Sequence, residues 1–232
     1  IIINQNEMKS LLKLFFPDQC SACDELLSEG EAFVCTSCRH TLPVTHLHTT
    51  TLNPIQKLLY GRTTIHLEAA LFYFDKKTRV QQLIHNLKYR RQEQLSPFMG
   101  NWLGSQLAEA PAFSAIDCVI PVPLHKSRLR ERGYNQVAGF GKAIAHCLNK
   151  PYLDAILYRT KATRTQVFLN RVFRGTEVLD SFAVTETTSL QGKHILLVDD
   201  LITTGGTIEG CALALQQIPD IKLSVAVMAI AQ

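Results

Sequence analysis

One stretch near the C-terminus constrains this chain more than any other: Ile195-Leu196-Leu197-Val198-Asp199-Asp200-Leu201-Ile202-Thr203-Thr204-Gly205-Gly206-Thr207. The four apolar residues predict a buried strand over 195–198, of the kind found in a parallel sheet covered on both faces. Two acids stand at its end, and a run of hydroxyls and glycines then opens a helix. The small residues let backbone N–H groups turn toward an anion at the helix N-terminus, where the dipole favours negative charge. Asp199 and Asp200 cannot hold phosphate, because like charges repel. They can accept hydrogen bonds from sugar hydroxyls or hold a metal. A phosphate cradle beside a hydroxyl-binding pair describes a site for a phosphorylated ribose.

Plainer readings exist for each part. Apolar strands ending in Asp occur in many α/β sheets, and Thr-Thr-Gly-Gly-Thr alone could serve as a helix cap. The order of the parts is what makes them specific. A receiver domain also has an apolar strand ending in paired Asp, but early in its sequence, whereas 32 residues follow Asp200. A Walker phosphate loop is excluded, since no G-x-x-x-x-G-K-[ST] is present.

Composition sets the class around this corner. With 232 residues, 46% apolar and 19% charged, the chain suits one globular domain with a small appendage. No apolar run suits a bilayer span and no secretory leader is expected, so membrane insertion is not expected. A net charge of +4 is compatible with anionic ligands without predicting nucleic acid.

Four of the seven cysteines cluster as Cys20-x2-Cys23-x11-Cys35-x2-Cys38. Each pair can put two thiolates on one ion, and two such knuckles complete a tetrahedral site. Structural zinc is the expectation; iron on the same thiolates and redox disulfides are the alternatives. Four thiolates leave no open position, so catalysis at this metal is not expected. His40, His46 and His48 are read as exposed or capping residues, and Cys118, Cys147 and Cys211 as apolar packing.

Between these landmarks, strand and helix patterns alternate. Helices are predicted over 8–16, 53–60, 76–88 and 95–110, then on the stripes Val137-Phe140-Ile144-Leu148 and Ile208-Cys211-Ala212-Leu215. Strands are predicted over 67–74, 116–121, 155–158, 182–184, 195–198 and 223–230. The alternation indicates a mainly parallel, doubly wound α/β sheet flanked by helices.

Two basic segments must approach the acid pair in such a fold. Pro121-Val122-Pro123-Leu124-His125-Lys126-Ser127-Arg128-Leu129-Arg130-Glu131-Arg132-Gly133-Tyr134-Asn135-Gln136 follows a strand directly, where open sheets bind ligands. Its prolines stiffen a turn, and guanidinium forks suit diphosphate oxygens. Arg159 to Arg174 adds Lys161, Arg164 and Arg171 without any acid. A charge run is usually a solvated face, but this one lies between strands assigned to the same sheet.

The Val-Asp-Asp-x-x-Thr-Thr-Gly-Gly-Thr stretch resembles the phosphoribosyl diphosphate (PRPP) signature of type I phosphoribosyltransferases. Adding the Cys-x-x-Cys pairs, Leu87-Lys88-Tyr89-Arg90, the Pro-Val-Pro-Leu…Arg-x-Arg-Gly-Tyr-Asn-Gln tract and Thr163…Gln166…Arg174, the chain resembles the ComF family from about Leu11 onward. These are cytoplasmic bacterial proteins associated with competence and DNA uptake. The resemblance implies a four-cysteine zinc module over 1–50 and a phosphoribosyltransferase-like domain over 51–232. It places ribose hydroxyls on Asp199 and Asp200 and the 5-phosphate on Thr203, Thr204, Gly205, Gly206 and Thr207. It makes 121–128, with Pro123 and Leu124, the pyrophosphate loop. Lys126, Arg128 and Arg132 would hold pyrophosphate with Mg²⁺, and Lys161 and Arg174 would close over it from a flexible loop. One departure stands out: Glu177 follows Arg174 where Asn is expected.

Two functions follow from the resemblance. One is phosphoribosyl transfer from PRPP to an unidentified nitrogen acceptor. The other is a non-catalytic PRPP-sensing module that meets competence-machinery proteins or single-stranded DNA. Nucleic-acid binding requires exposed aromatics among the cations. Tyr89, Tyr134 and Phe168 are the candidates, and core packing explains them equally well.

Overall fold

The computed structural model describes residues 17–50, 53–160, 182–185 and 188–232. The predicted helix over 8–16 lies outside them, as do Lys161, Arg174 and Glu177. In chain order the elements are α1 (Thr36–Thr41), α2 (Pro54–Leu59), β1 (Glu68–Phe74), α3 (Arg79–Tyr89), α4 (Leu95–Glu109), β2 (Cys118–Pro121), α5 (Lys126–Arg132), α6 (Gln136–Leu148), β3 (Leu157–Arg159), β4 (Phe182–Val184), β5 (His194–Ile202), α7 (Gly206–Leu215) and β6 (Lys222–Ala231).

Four strands form one parallel sheet in the order β1-β6-β5-β2. Both faces are covered, as the near-continuous apolar runs of β5 and β6 require. One core joins Leu83, Leu87, Leu103, Phe140 and Ile144 of α3, α4 and α6 to Leu196 and Val198, and takes in Cys20, Cys35 and Cys38. The opposite core gathers Ile55, Leu59, Ile208, Cys211 and Leu215 against Ile195, Leu197 and Val227. The expected class, a parallel sheet flanked by helices with a four-cysteine cluster near the N-terminus, is what the chain adopts.

Local chemistry sets the boundaries. The helix expected from residue 76 begins at Arg79, because Lys77 takes a left-handed φ of 61° and Thr78 caps the first turn by accepting from Gln81 N. Helices α4 and α6 meet closely at Gly100, where a Cβ would stand 2.5 Å from the Phe140 carbonyl oxygen. Thr45 N donates to the Leu71 carbonyl at 3.0 Å and Tyr73 N to that of Pro43 at 2.9 Å, so the exit of the cysteine module covers the outer edge of β1.

Three expectations need correction. Strand β5 does not end at Val198: it pairs with β6 as far as Ile202↔Ile230, so both acids sit within the strand. Strands β3 and β4 do not join the main sheet. They pair antiparallel with each other, Tyr158 opposite Ala183. The second half of the expected 121–128 loop is helical, because KSRLRER consists mostly of good helix formers, His125 caps it and Gly133 ends it at a φ of 84°.

Candidate functional site

Strands β2 and β5 are neighbours, yet the helices that follow them cover opposite faces, α6 on one and α7 on the other. Such a divergence opens a crevice at the carboxyl ends of the two strands. Pairing between them stops at Pro121↔Val198, and Val122 N makes the last bond, to the Val198 carbonyl at 2.9 Å. Asp199 and Asp200 are therefore the first residues of β5 beyond the end of its neighbour.

The two acids differ in environment. Asp199 is 9% exposed, and its Oδ1 accepts from the Asp200 backbone N at 2.8 Å. Burial and then the adjacent Asp200 charge raise its carboxyl to about 8, against the lowering pull of that N–H, Lys88 and Arg159. Asp200 is half-buried, and its Oδ2 lies 2.8 Å from Lys88 Nζ at the end of α3. Arg159 on β3 packs its guanidinium 5.1 Å from the Phe182 ring centre. Burial and then the charge of Arg128 hold it below its ordinary pKa. One acid pair thus has two cations close enough to bias it, with Arg128 just beyond.

After Ile202 the chain turns through Thr203, Thr204 and Gly205 into α7. Thr203, Thr204 and Thr207 are exposed and Gly206 is half-buried. Gly205 caps the helix at a φ of 78° with no side-chain bond to the first turn, so the N-terminal amides depend on other partners. A Cβ here would stand 2.8 Å from Leu59 Cδ2. Position 205 requires glycine on both conformational and steric grounds.

The basic tract divides. Lys126 and Arg128 are exposed on α5, and Pro123 and Leu124 are half-buried before it. Arg132 is engaged: Nη1 donates to Gln136 Oε1 at 2.7 Å, and its guanidinium lies 5.4 Å from the Tyr89 ring centre. The Tyr-Asn-Gln that follows has structural work, with Tyr134 donating to the Leu87 carbonyl and Asn135 Nδ2 to that of Val122 at 3.1 Å.

A cleft of about 790 Å³ lies between the cysteine module and the α3–α4 connection, lined by Asp18, Phe33, Arg91 and Glu93 among others. Its lining includes none of the expected ligand residues. Chemistry rather than volume marks the β5–α7 corner.

The cysteine cluster passes a geometric test for a metal. Cys20, Cys23, Cys35 and Cys38 bring their sulfurs within 4.8 Å of one another, with Cys23 and Cys35 at 3.8 Å. A tetrahedral zinc ~2.3 Å from each sulfur would set them about 3.8 Å apart. Burial works to raise the Cys20 thiol, but the N–H groups of Cys35 and Ala22, at 3.3 and 3.4 Å, help bring it down to about 7. His40 and His46 are exposed and His48 half-buried; Cys118 and Cys211 are buried and Cys147 half-buried.

Lys88 and Arg62 border the candidate corner without having been assigned a role from pattern, whereas Arg159 heads the basic segment expected to approach the acids. Lys88 stands within a motif that gives it no role. Arg62 gave no signal, because its partners Thr204 and Glu209 lie 142 and 147 residues away.

The fold and corner define an open α/β protein with an anion-suited turn at its switch point. No known family profile matches the chain. It is 27% identical over 192 residues to DNA utilization protein YhgH of Escherichia coli (strain K12), covering 82% of this chain and 80% of that one. It is 34% identical over 93 residues to Competence protein F of Haemophilus influenzae (40% and 41% of the two chains), and 32% identical over 99 residues to Competence protein ComFC of Bacillus subtilis (40% and 36%). These relatives bear out the resemblance to the ComF family. Among solved structures it is similar to the glutamine PRPP amidotransferase of B. subtilis, with a TM-score of 0.42, 17% identity, and 62% of this chain but 30% of that one covered. It is similar also to an adenine phosphoribosyltransferase, with a TM-score of 0.40, 18% identity and coverage of 61% and 72%.

Proposed function

We propose that this protein binds PRPP at the β5–α7 corner and transfers its phosphoribosyl group to a nitrogen acceptor, releasing pyrophosphate. The observation that carries this reading is the pairing of Asp199 and Asp200 with a glycine-capped helix start flanked by exposed threonines, at the point where β2 stops and β5 continues. Hydroxyls of a ribose would donate to the acids, and the 5-phosphate would accept from amides of 203–207. The C1–O bond to diphosphate breaks as the acceptor nitrogen bonds to C1, and that nitrogen gives up its proton. Lys126 and Arg128 supply positive charge for the leaving oxygens, with Lys161 and Arg174 assigned the same task by resemblance. Arg159, already beside Asp199, joins them.

Asp200 has one oxygen on Lys88, and Asp199 is largely buried, which suits hydroxyl acceptance better than a resident metal. Mg²⁺ would enter on the diphosphate, where it neutralises developing charge. Cys20, Cys23, Cys35 and Cys38 would hold zinc with a structural role. Among the described residues no helix is long and apolar enough to cross a membrane. Seven cysteines, four of them gathered for a metal rather than into disulfides, suit the reducing cytoplasm.

The test is release of pyrophosphate from PRPP and Mg²⁺ with a panel of nucleobases and amines. Turnover lost in Asp199→Asn supports the transferase. The names of the relatives, DNA utilization and competence, favour a second reading, a PRPP-binding module in DNA uptake. A salt-sensitive shift of single-stranded DNA, with PRPP binding but no turnover, would select it.

A further inference from the structure

Glu209 is the one acid in the first turn of α7, and a carboxylate there competes with a bound anion for the same positive helix end. Its side chain does not stand alone. Arg62 Nη1 donates to Glu209 Oε2 at 2.8 Å, while Nη2 donates to the Thr204 carbonyl at 3.1 Å and to the Leu58 carbonyl. The three acceptors belong to α7, to the turn that opens it and to α2, which packs on that turn. We propose that Arg62 is a positioning residue for the sugar-phosphate site: it cancels the Glu209 charge and ties back the Thr204 carbonyl, so that the turn offers amides and positive potential to the phosphate. The inference rests on the reading given under Proposed function and adds to it the device that keeps the cradle electropositive.

Arg62 is itself fixed from the sheet. Asn53 provides no side-chain cap for α2. Instead Glu68, buried at the start of β1, accepts from Gln56 N at 2.7 Å and Ile55 N at 3.2 Å. That helix carries Leu58 and Leu59 against Gly205, and the chain turns at Gly61, with a φ of 73°, to deliver Arg62. Arg62 N then closes on the Leu59 carbonyl at 2.9 Å. The guanidinium donors named above are spent on protein acceptors rather than aimed at the crevice. Its action on a ligand is therefore through Glu209 and the turn.

Calorimetric titration with ribose 5-phosphate, and with PRPP plus Mg²⁺, tests this on the full chain. Arg62→Met leaves Glu209 uncompensated and should weaken both ligands about tenfold. Glu209→Gln alone should stay within about twofold of the parent, and Arg62→Met/Glu209→Gln should recover most of the loss. Recovery separates charge cancellation from a structural or direct-contact role, which removing Glu209 would not mend. An unchanged Arg62→Met, or a double variant as weak as the single, overturns the inference while leaving the site intact. Failure of the parent protein to bind either ligand overturns the site and the inference together.

Discussion

The ammonium of Lys88 stands 2.8 Å from Asp200 Oδ2, joining the last turn of α3 to the acid pair on β5. The pair is largely shielded, with side chains 17% and 15% exposed, so each charge depends on the other. Lys88 also pulls the Asp199 carboxyl downward. Lys88→Met should cost on the order of 2 kcal/mol in denaturant unfolding and reduce PRPP affinity, because a less ionised acid pair accepts ribose hydroxyls less well. Unfolding and titration of the same preparation check both halves; unaltered values in both would show the ion pair to be incidental.

Asp199 makes a pH prediction whose sign can be worked out. Its carboxyl is raised from 3.8 to about 8 on folding, by burial first and then by Asp200. Between those values the folded state binds more protons than the unfolded one, so stability falls as pH rises from about 4 to about 8 and levels off above. The slope from this group is at most about 1.4 kcal/mol per pH unit. Buried His194 works oppositely at lower pH: its pKa is depressed, by burial first and then by His66, which removes stability as pH falls through the ordinary histidine range. Glu68 is raised by burial, in the same sense as Asp199. The clean observable is thus the parent minus Asp199→Asn. That difference should decline across pH 4–8, and a flat difference would mean Asp199 titrates normally. The same variant should lose PRPP binding.

Sequence patterning reached the sheet and the corner because both are local. The apolar runs of β5 and β6 and the Asp-Asp-x-x-Thr-Thr-Gly-Gly-Thr order need no distant contact to be legible. The Cys-x-x-Cys spacing likewise gathered four sulfurs correctly. What escaped depends on distant partners. The strand runs on past the acids because β6 pairs with it to Ile230, which no window around Asp199 displays. The β3–β4 pairing escaped for the same reason, since each strand has its partner elsewhere in the chain. Arg132, counted with the pyrophosphate cations, also donates to Gln136 at the start of α6, across the turn at Gly133 that a helix pattern does not carry.

Gly205 and Gly133 permit a matched comparison. Both have left-handed backbones, at 78° and 84°, but a Cβ at 133 would meet nothing within 4 Å, whereas one at 205 would meet Leu59 Cδ2 at 2.8 Å. Gly133→Ala should therefore cost about 1 kcal/mol from backbone strain alone. Gly205→Ala should cost about 1–2 kcal/mol more, because Leu59 is fully buried and must shift. If Leu59 moves, so does its contact with the turn, and ribose 5-phosphate affinity should drop for Gly205→Ala but not for Gly133→Ala. Equal unfolding costs for the two would argue that the contact is loose.

Metal removal should be felt at the acid pair by way of α3. Asn86 Nδ2 donates to the Ser21 carbonyl at 3.0 Å and Gln82 Nε2 to Asp24 Oδ2 at 2.7 Å, so α3 is bound to the first knuckle along one side. The same helix carries Lys88 to Asp200. Cys20, Cys35 and Cys38 share the core of Leu83 and Leu87. Loosening the knuckle should release α3 and with it the counter-charge of Asp200. Metal analysis should find one zinc per chain, and Cys38→Ser should lose it and lower Tm by about 10 °C. PRPP affinity should fall in the same variant at temperatures where it remains folded. A Cys38→Ser protein that melts lower yet binds PRPP as tightly as the parent would show that the knuckle stabilises the chain without positioning Lys88.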